Sequence, residues 1–528
     1  MKQDKADFVD DLVEDGNVRE EIQEQLSWSR QFAELKQSYR NALACFACAS
    51  VAIVIGYDMN LIGSIIANKE FVKQFGVFNK EHQVWTLPAD RQLAWTICQF
   101  CSAMLGAVIV GTASDRFGRR ICVFINIALL IIGTVVELVA PNWGVWSVAK
   151  VIFGFAMGFM QGNTQTYVAE IAHVRIRGFM LALFQFWLII GVFLSSCVLE
   201  GTSRISGTWS WKADVVSQFG IGLISLSLFT FLTPESPYYL AGKGETEKVK
   251  MVLCSLRGKE PGYIVEADVD LIMRTIEHEK STSGAEVSFM DCFRGVDLRR
   301  TLLACLPMVM QQFSGWSPFP LQYTGSLTNS FKSGWPLCGN YLTYFLALAG
   351  LEDAFLVTVI ANVLSIFAVL LSFSLVEKIG RRPQLLLGLS GMIPCLLAIT
   401  ILGWVGRGTL ANGRALAAFS IVWTILYYIS LGAIGWTLVG EIPSVRLRAK
   451  TTSIATITNA VCNLAWAVAI PYLINEEEAD LGPKAGVVFL GPACVLTVMA
   501  FFVVPETKGK TFAQLDRLFE LRTPARKF

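Results

Sequence analysis

The feature that most constrains this chain is a succession of apolar runs, each about twenty residues long, parted by short loops that carry most of the charge. A helix of that length rises about 30 Å, the thickness of a bilayer's hydrocarbon core, and in oil it bonds its own backbone N–H and C=O groups. Six such runs occupy approximately residues 41–66, 93–113, 121–140, 146–168, 179–199 and 215–233. Six more follow at about 301–330, 352–376, 384–405, 415–441, 452–474 and 485–504. The expected fold class is an all-α membrane protein with about twelve transmembrane helices. Composition points the same way, since 53% of the 528 residues are hydrophobic and only 16% are charged. A net charge of +2, scattered among loops, excludes nucleic acid as a partner. Cys98, Cys101, Cys122, Cys197, Cys305, Cys395, Cys462 and Cys494 lie inside apolar runs and read as small packing residues. Cys98-Phe-Gln-Cys101 is worded like a redox pair, but on a membrane helix it is simply an i, i+3 spacing. Nothing calls for a metal or a cofactor.

The chain divides into five segments. Residues 1–40 are polar and acidic, with no short apolar core followed by a small-residue cleavage site, so a cytoplasmic segment and no cleaved signal are expected. Residues 41–233 and 301–504 hold six apolar runs each, and the polar stretch 234–300 reads as a cytoplasmic linker with short helices. In the tail, 505–528, Phe512, Leu515, Leu518 and Phe519 recur at helical spacing beside basic residues, which predicts a short amphipathic helix on the inner membrane surface. Loops with Arg116, Arg119 and Arg120, with Arg175 and Arg177, with Lys378, Arg381 and Arg382, and with Arg446, Arg448 and Lys450 fall on one side. They outnumber the basic residues of the opposite short loops by roughly two to one, which makes that side the cytoplasm and puts both termini inside. The long outer loop from Asn68 to Arg91 has mixed charge and weakens this contrast without reversing it.

Internal repetition sets the architecture. Asp115-Arg-Phe-Gly-Arg-Arg120 returns as Glu377-Lys-Ile-Gly-Arg-Arg382, and Glu170-Ile-Ala-His-Val-Arg-Ile-Arg177 returns as Glu441-Ile-Pro-Ser-Val-Arg-Leu-Arg448. Pro234-Glu-Ser-Pro237 is echoed by Pro505-Glu-Thr-Lys508, and the offsets are all roughly 260 to 270 residues in preserved order. Two six-helix halves in parallel repeat follow, the arrangement of major facilitator transporters.

These residues resemble the sugar porter family across nearly the whole membrane region. The motifs that carry the resemblance are Gly56-Tyr-Asp58, Asp115 to Arg120, Tyr167-Val-Ala-Glu170, Pro234 to Pro237, Gln311-Gln312, Glu377 to Arg382, Glu441-Ile-Pro443 and Pro505 to Lys510. The surroundings of Gly56-Tyr-Asp58 and the phrase Glu441 to Thr451 look most like the fungal branch that holds α-glucoside and hexose proton symporters. The resemblance implies alternating access around a site between the halves. It also implies cytoplasmic ion pairs that hold the outward-facing state, with Asp115, Arg119, Glu170, Arg177, Glu235, Glu377, Arg381, Glu441, Arg448 and Glu506 as gate residues. Charge at helix ends also serves simply to orient a membrane protein, but the duplicated Glu-to-Arg spacing favours a gate.

Asp58 lies some 25 Å along the first run at about 1.5 Å per residue, where a carboxylate must face a cavity, pair, or take up a proton. In proton-coupled members of the resembled family an aspartate in this motif carries the proton. Glu137, just before Pro141, and Lys150, early in the fourth run, flank a loop so short that their helices are antiparallel neighbours. Family symporters usually have arginine at the Lys150 position, and lysine keeps the charge without the bidentate fork. Lys150 is expected to share its charge between Asp58 and Glu137. For a sugar, amides for the hydroxyls and an aromatic face for the ring are required. Gln185, Gln311, Gln312, Trp436, Asn459 and Asn463 match family positions of that kind, although buried amides also glue helices together. The chain departs from the family at Ser317, which stands for an asparagine, at Leu321-Gln322, which stands for a tyrosine pair, and at Ala460, which stands for an aromatic. Pro318 and Pro320 interrupt the seventh run and suggest a bendable helix. A wider site with Ser317 and Gln322 among its polar groups suits an oligosaccharide or glycoside at least as well as glucose, and leaves room for a non-sugar metabolite.

The function expected is secondary active transport by alternating access, with proton-coupled uptake of an α-glucoside or hexose in front. A facilitator or an exporter of a specialised metabolite is the alternative, and a nutrient-sensing receptor is disfavoured by a tail of about 24 residues. No nucleophile, base and orienting partner occur together in an apolar run, and His82, His173 and His278 fall in loops, so an enzyme is not expected. The expected partners are the cargo, a proton and the bilayer, in a protein that works as a monomer in the plasma membrane.

Overall fold

The computed structural model describes residues 36–65, 68–79, 84–173, 176–202, 205–258, 263–283, 288–315, 354–405, 410–474, 486–510 and 512–528. Among them, eleven helices are long and apolar enough to cross a membrane, which makes this a multi-pass membrane protein. The first half holds Tyr39–Leu61, Asp90–Phe117, Arg119–Val139, Trp143–Ile171, Arg177–Leu199 and Trp209–Leu232. The second half begins with the helix Gly295–Phe313, the described part of the seventh span. It continues with Val359–Val376, Arg381–Leu402, Ala418–Glu441, Arg448–Ala469 and Gly486–Val503. Leu105, Ile109, Ile132, Leu223, Ile224 and Phe231 stay exposed on helices of this kind, as side chains do when oil is the solvent.

Small residues set how closely the spans pack. A Cβ on Gly158 would fall 1.9 Å from the Ala103 carbonyl oxygen, and one on Gly56 2.1 Å from that of Leu188, so the fourth span lies against the second and the fifth against the first. Across the halves, the second span meets the eleventh, where Gly111 lies beside Ser453, and the fifth meets the eighth, where the rings of Phe179 and Phe373 are 4.8 Å apart.

Several boundaries differ from those expected. The second span stays helical through Phe117 and the third begins at Arg119, so Asp115 lies on a helix and only Gly118, at φ +94°, makes the turn. The sixth span starts at Trp209, which places Asp214 inside it. The tenth contains a π-helical turn, Tyr428–Gly432. His278 lies within the helix Val265–Ser283, not in a loop, while His82 is outside the described residues.

The linker forms the helices Pro237–Gly242, Thr246–Arg257 and Val265–Ser283 and a short 3-10 turn, Phe289–Phe293. At the opposite end of the first half, Asn68 caps the helix Lys69–Phe75 by accepting from the backbone of Glu70 and Phe71, and its amide donates to Ser210 Oγ at 2.7 Å. That cap delivers Phe71 and Phe75 into a fully buried aromatic cluster with Trp95, Trp146 and Trp211, mostly in edge-to-face contacts. A two-stranded hairpin follows, with Val77 opposite Thr86.

Candidate functional site

Beneath the aromatic cluster, the first, third and fourth spans bring three charges together. Lys150 Nζ donates to Asp58 Oδ1 at 2.7 Å and forms a second ion pair with Glu137, and all three side chains are buried. Gln99 of the second span completes the shell by donating to Asp58 Oδ2 at 3.2 Å. Its position follows from packing, because Gly154, one turn beyond Lys150, lets the fourth span press against the Gln99 carbonyl. Trp146 and Phe153 flank the ammonium, 5.1 and 5.3 Å from their ring centroids. Stripping these ions of water costs several kcal/mol each, roughly offset only while the pairs stay intact. A proton placed on either carboxylate therefore frees the ammonium for the other.

Farther along, the two halves meet around Trp436, which packs at 4.9 Å against Phe184 of the fifth span. Gln185 is the next residue and is buried. Gln311 donates to the Leu431 carbonyl at 3.2 Å, on the π-helical turn of the tenth span. Gln312 Oε1 is buried without a hydrogen-bond partner. Asn463 donates to Asn459 Oδ1 at 2.7 Å and keeps its own Oδ1 unpartnered, while Asn459 donates weakly to Met308 Sδ at 3.5 Å. One turn beyond Asn463, Trp466 stacks on Phe489 and meets Phe313 edge-on. Gln311 and Gln312 lie on the last turn of the helix Gly295–Phe313, Trp436 on the tenth span and Asn459 and Asn463 midway along the eleventh, with Gln311 beside Gly435 and Met308 packed between Trp436 and Asn459. Ser317 and Gln322 lie outside the described residues.

At the linker end the repeated motifs become a repeated structure. Arg119 donates to Glu170 at 3.0 Å and to the Ser114 carbonyl at 2.9 Å, and Arg381 donates to Glu441 at 3.0 Å and to the Val376 carbonyl at 3.2 Å. Glu235 accepts the backbone N–H groups of Arg119 and Arg120 at the start of the third span, at 3.0 and 3.2 Å. Glu506 accepts those of Arg381 and Arg382 at 3.0 and 3.1 Å, so each half clamps a carboxylate on a helix N-terminus. Burial nevertheless holds the Glu235 carboxyl above its usual value, against the pull of those N–H groups. Ser236 donates to Glu170, and Thr507 donates to Glu441 at 2.6 Å.

Other bonds at this end cross between the halves. Arg177 lies 3.6 Å from Glu441, and Lys450 donates to Asp115 at 2.9 Å. The Phe512 ring sits between Arg177 and Arg448, 4.1 and 3.9 Å from their guanidinium carbons. Glu377 lies on the eighth helix, Ala354–Lys378, and its side chain is outside the described set.

Sequence reasoning missed three participants. Gln99 looked like any amide in an apolar run, and Lys450 was read only as a topogenic charge. Asp214 fell one residue outside the expected sixth span, and a signal for it existed, because Trp209 and Trp211 extend the apolar run toward the membrane boundary.

A family model described as "Sugar (and other) transporter" matches residues 44–321 and 322–519. The chain is 26% identical over 543 aligned positions to the general alpha-glucoside permease of Saccharomyces cerevisiae, covering 100% of this chain and 82% of that one. It is 29% identical to the MFS transporter fmqE of Aspergillus fumigatus, covering 92% of this chain and 86% of that one. The structure of the MFS proton:xylose symporter XylE bound to 6-bromo-6-deoxy-D-glucose superposes with a TM-score of 0.73 at 21% identity, covering 91% of this chain and 99% of the other.

Proposed function

The chain belongs to the sugar transporter family of the major facilitator fold, and from that premise we propose that it couples inward proton movement to uptake of an α-glucoside or related sugar by alternating access. The observation that carries the reading is the buried lysine bridging two carboxylates from different spans. Such a group is costly in a membrane unless it works, and its natural work is to hold and release a proton. Asp58 is the proton carrier, and Lys150 and Glu137 govern how firmly it holds the proton. Gln185, Gln311, Gln312, Asn459, Asn463 and Trp436 receive the sugar, together with Ser317 and Gln322. The buried acceptors left open on Gln312 and Asn463 are the groups a polyhydroxylated ligand would bond.

The linker end is the cytoplasmic side of the plasma membrane in this reading, and both termini are inside. The pairs of Arg119 with Glu170, Arg381 with Glu441, Arg177 with Glu441 and Lys450 with Asp115 are a gate, shut in the present state. Asp115, Glu235, Glu506, Arg448 and Glu377 belong to that gate. The protein works as a monomer. A second reading, carriage of a non-sugar metabolite, is favoured by Ser317 and by Leu321-Gln322, which replace polar and aromatic residues of the resembled family.

Reconstitution in proteoliposomes with hexoses, disaccharides and polyols tests the reading. Saturable glucoside uptake, stimulated by an inward proton gradient in the wild type and much less so in Asp58→Asn, is the expected outcome. Absence of flux for every sugar defeats the substrate assignment, and stimulation in Asp58→Asn equal to that of the wild type defeats the proton role of Asp58.

A further inference from the structure

The sixth span turns a polar stripe inward, made of Ser210, Asp214, Gln218 and Ser225, while Leu223, Ile224 and Phe231 stay exposed. Asp214 is fully buried on that stripe. Its Oδ1 accepts the hydroxyl of Tyr57, the residue before Asp58, and its Oδ2 has no hydrogen-bond partner. Ser217 Oγ closes the small network, 2.5 Å from the Tyr57 oxygen and donating to the Asp214 carbonyl at 2.7 Å.

The groups facing Asp214 come from every neighbouring element. The first span presents Tyr57, with Asp58 the next residue along it, and the third presents Glu137 within Coulomb range. On the fifth span, Ser195 and Ser196 are buried and accept from Asn60 of the first. The helix Lys69–Phe75 holds Glu70 and Lys73 bonded to one another at 2.6 Å, and Lys212 on Asp214's own helix points to the Trp211 ring. Among the described residues, Lys150 is therefore the cation in ion-pair contact with this group of acids, and it is already shared by Asp58 and Glu137. Among the described residues no ion pair reaches Asp214. Ionised, it would be an uncompensated negative charge in a buried site, a cost that a proton removes.

One turn beyond Asp214, Gln218 accepts from Thr134 at 3.3 Å and borders a cavity with Thr134, Gly222 and Ser225 between the first, third and sixth spans. The Gln218 amide nitrogen is buried without a hydrogen-bond partner.

We propose that Asp214 is a second proton-carrying carboxyl of the transport cycle, protonated in the present state and tied through Tyr57 to the helix that carries Asp58. The step is a simple protonation, in which the carboxylate takes a proton from water and returns it to water when the site is rehydrated. The inference rests on the proton-coupled reading above, and its test separates the two.

Infrared difference spectroscopy of the full-length protein in liposomes, without substrate and stepped between about pH 5 and about pH 8, reads the C=O band of protonated buried carboxyls. The band is expected to vanish in Asp214→Asn, to persist in Asp58→Asn, and to shift in Tyr57→Phe, which keeps the acid and removes its donor. A band unchanged in both Asp214→Asn and Tyr57→Phe overturns the proposal, and Tyr57→Phe alone decides if the Asp214 variant does not fold. In uptake driven by one pH unit, Asp214→Asn is expected to lower the maximal accumulation about tenfold, one proton's share of the drive. Unchanged accumulation overturns the carrier role even where the infrared band is lost. A wild type with no proton-driven accumulation defeats the coupled-transport reading instead, and the carrier role of Asp214 with it, while the infrared result still reports whether Asp214 holds a proton.

Discussion

With one ammonium lodged between Asp58 and Glu137, the electrostatics of the first half depend on Lys150. Lys150→Ala leaves two buried carboxylates facing each other with Gln99 as the polar neighbour of Asp58. Breaking a buried pair in this way costs about 3–5 kcal/mol. Thermal unfolding of the purified protein should fall clearly in Lys150→Ala and recover in part when Asp58→Asn is added. An unchanged melting temperature in the single variant would remove the ion pairs from the stability of this half. Asp58, Glu137 and Lys150 were legible in the sequence because a charge inside an apolar run needs a reason. Gln99 was not, since an amide there is indistinguishable from helix glue until its neighbour is known.

Among the elements, the tail helix Phe512–Glu520 departs most from expectation. Its apolar face does not lie on a membrane surface but packs on the protein, with Leu515 and Phe519 buried. Arg300 holds Asp516 at 2.5 Å and lies over the Phe519 ring, and Arg177 donates to the Lys510 carbonyl at 3.0 Å. Burial raises the Asp516 carboxyl above its usual range, with Arg300 opposing the shift. A raised folded-state value means that the docked tail binds the proton more tightly than the free tail does. Docking is therefore favoured below the ordinary aspartate range and loses that contribution as pH rises through the elevated value. Hydrogen exchange of the tail amides should accelerate as pH rises, beyond the intrinsic base dependence, and Asp516→Asn should abolish the excess. Equal excess in both proteins would assign the effect elsewhere. Amphipathic spacing announced this helix, but it could not say whether lipid or protein covers its face, since both accept the same apolar stripe.

For the whole molecule, the described contacts between halves differ in kind at the two ends. The linker end carries the cross-half pairs of Arg177 with Glu441 and Lys450 with Asp115, reinforced by the Phe512 ring. Among the described residues, the opposite end carries a hydrogen bond from Asn362 to Ser196 at 3.2 Å and a contact of Ala467 with Leu93. Reversing one charge, as in Lys450→Asp, should expose cysteines placed at the linker end to water-soluble thiol reagents, and adding Asp115→Lys should restore protection. Loss of protection in the double variant as well would show that the pair's sign is not what joins the halves. The sequence by itself determined the membrane class, the number and approximate limits of the spans, and the duplicated Asp/Glu–Arg motifs. Those properties follow from local length, polarity and spacing, which the bilayer reads one helix at a time. Only the tertiary structure decided which further polar groups meet: that Gln99 joins Asp58, that Asp214 turns inward, and that Lys450 reaches across to the second span's Asp115, the residue at which the first copy of the repeated motif begins. Such pairings depend on the rotation and crossing of helices, set by packing over hundreds of residues, and no local pattern records them.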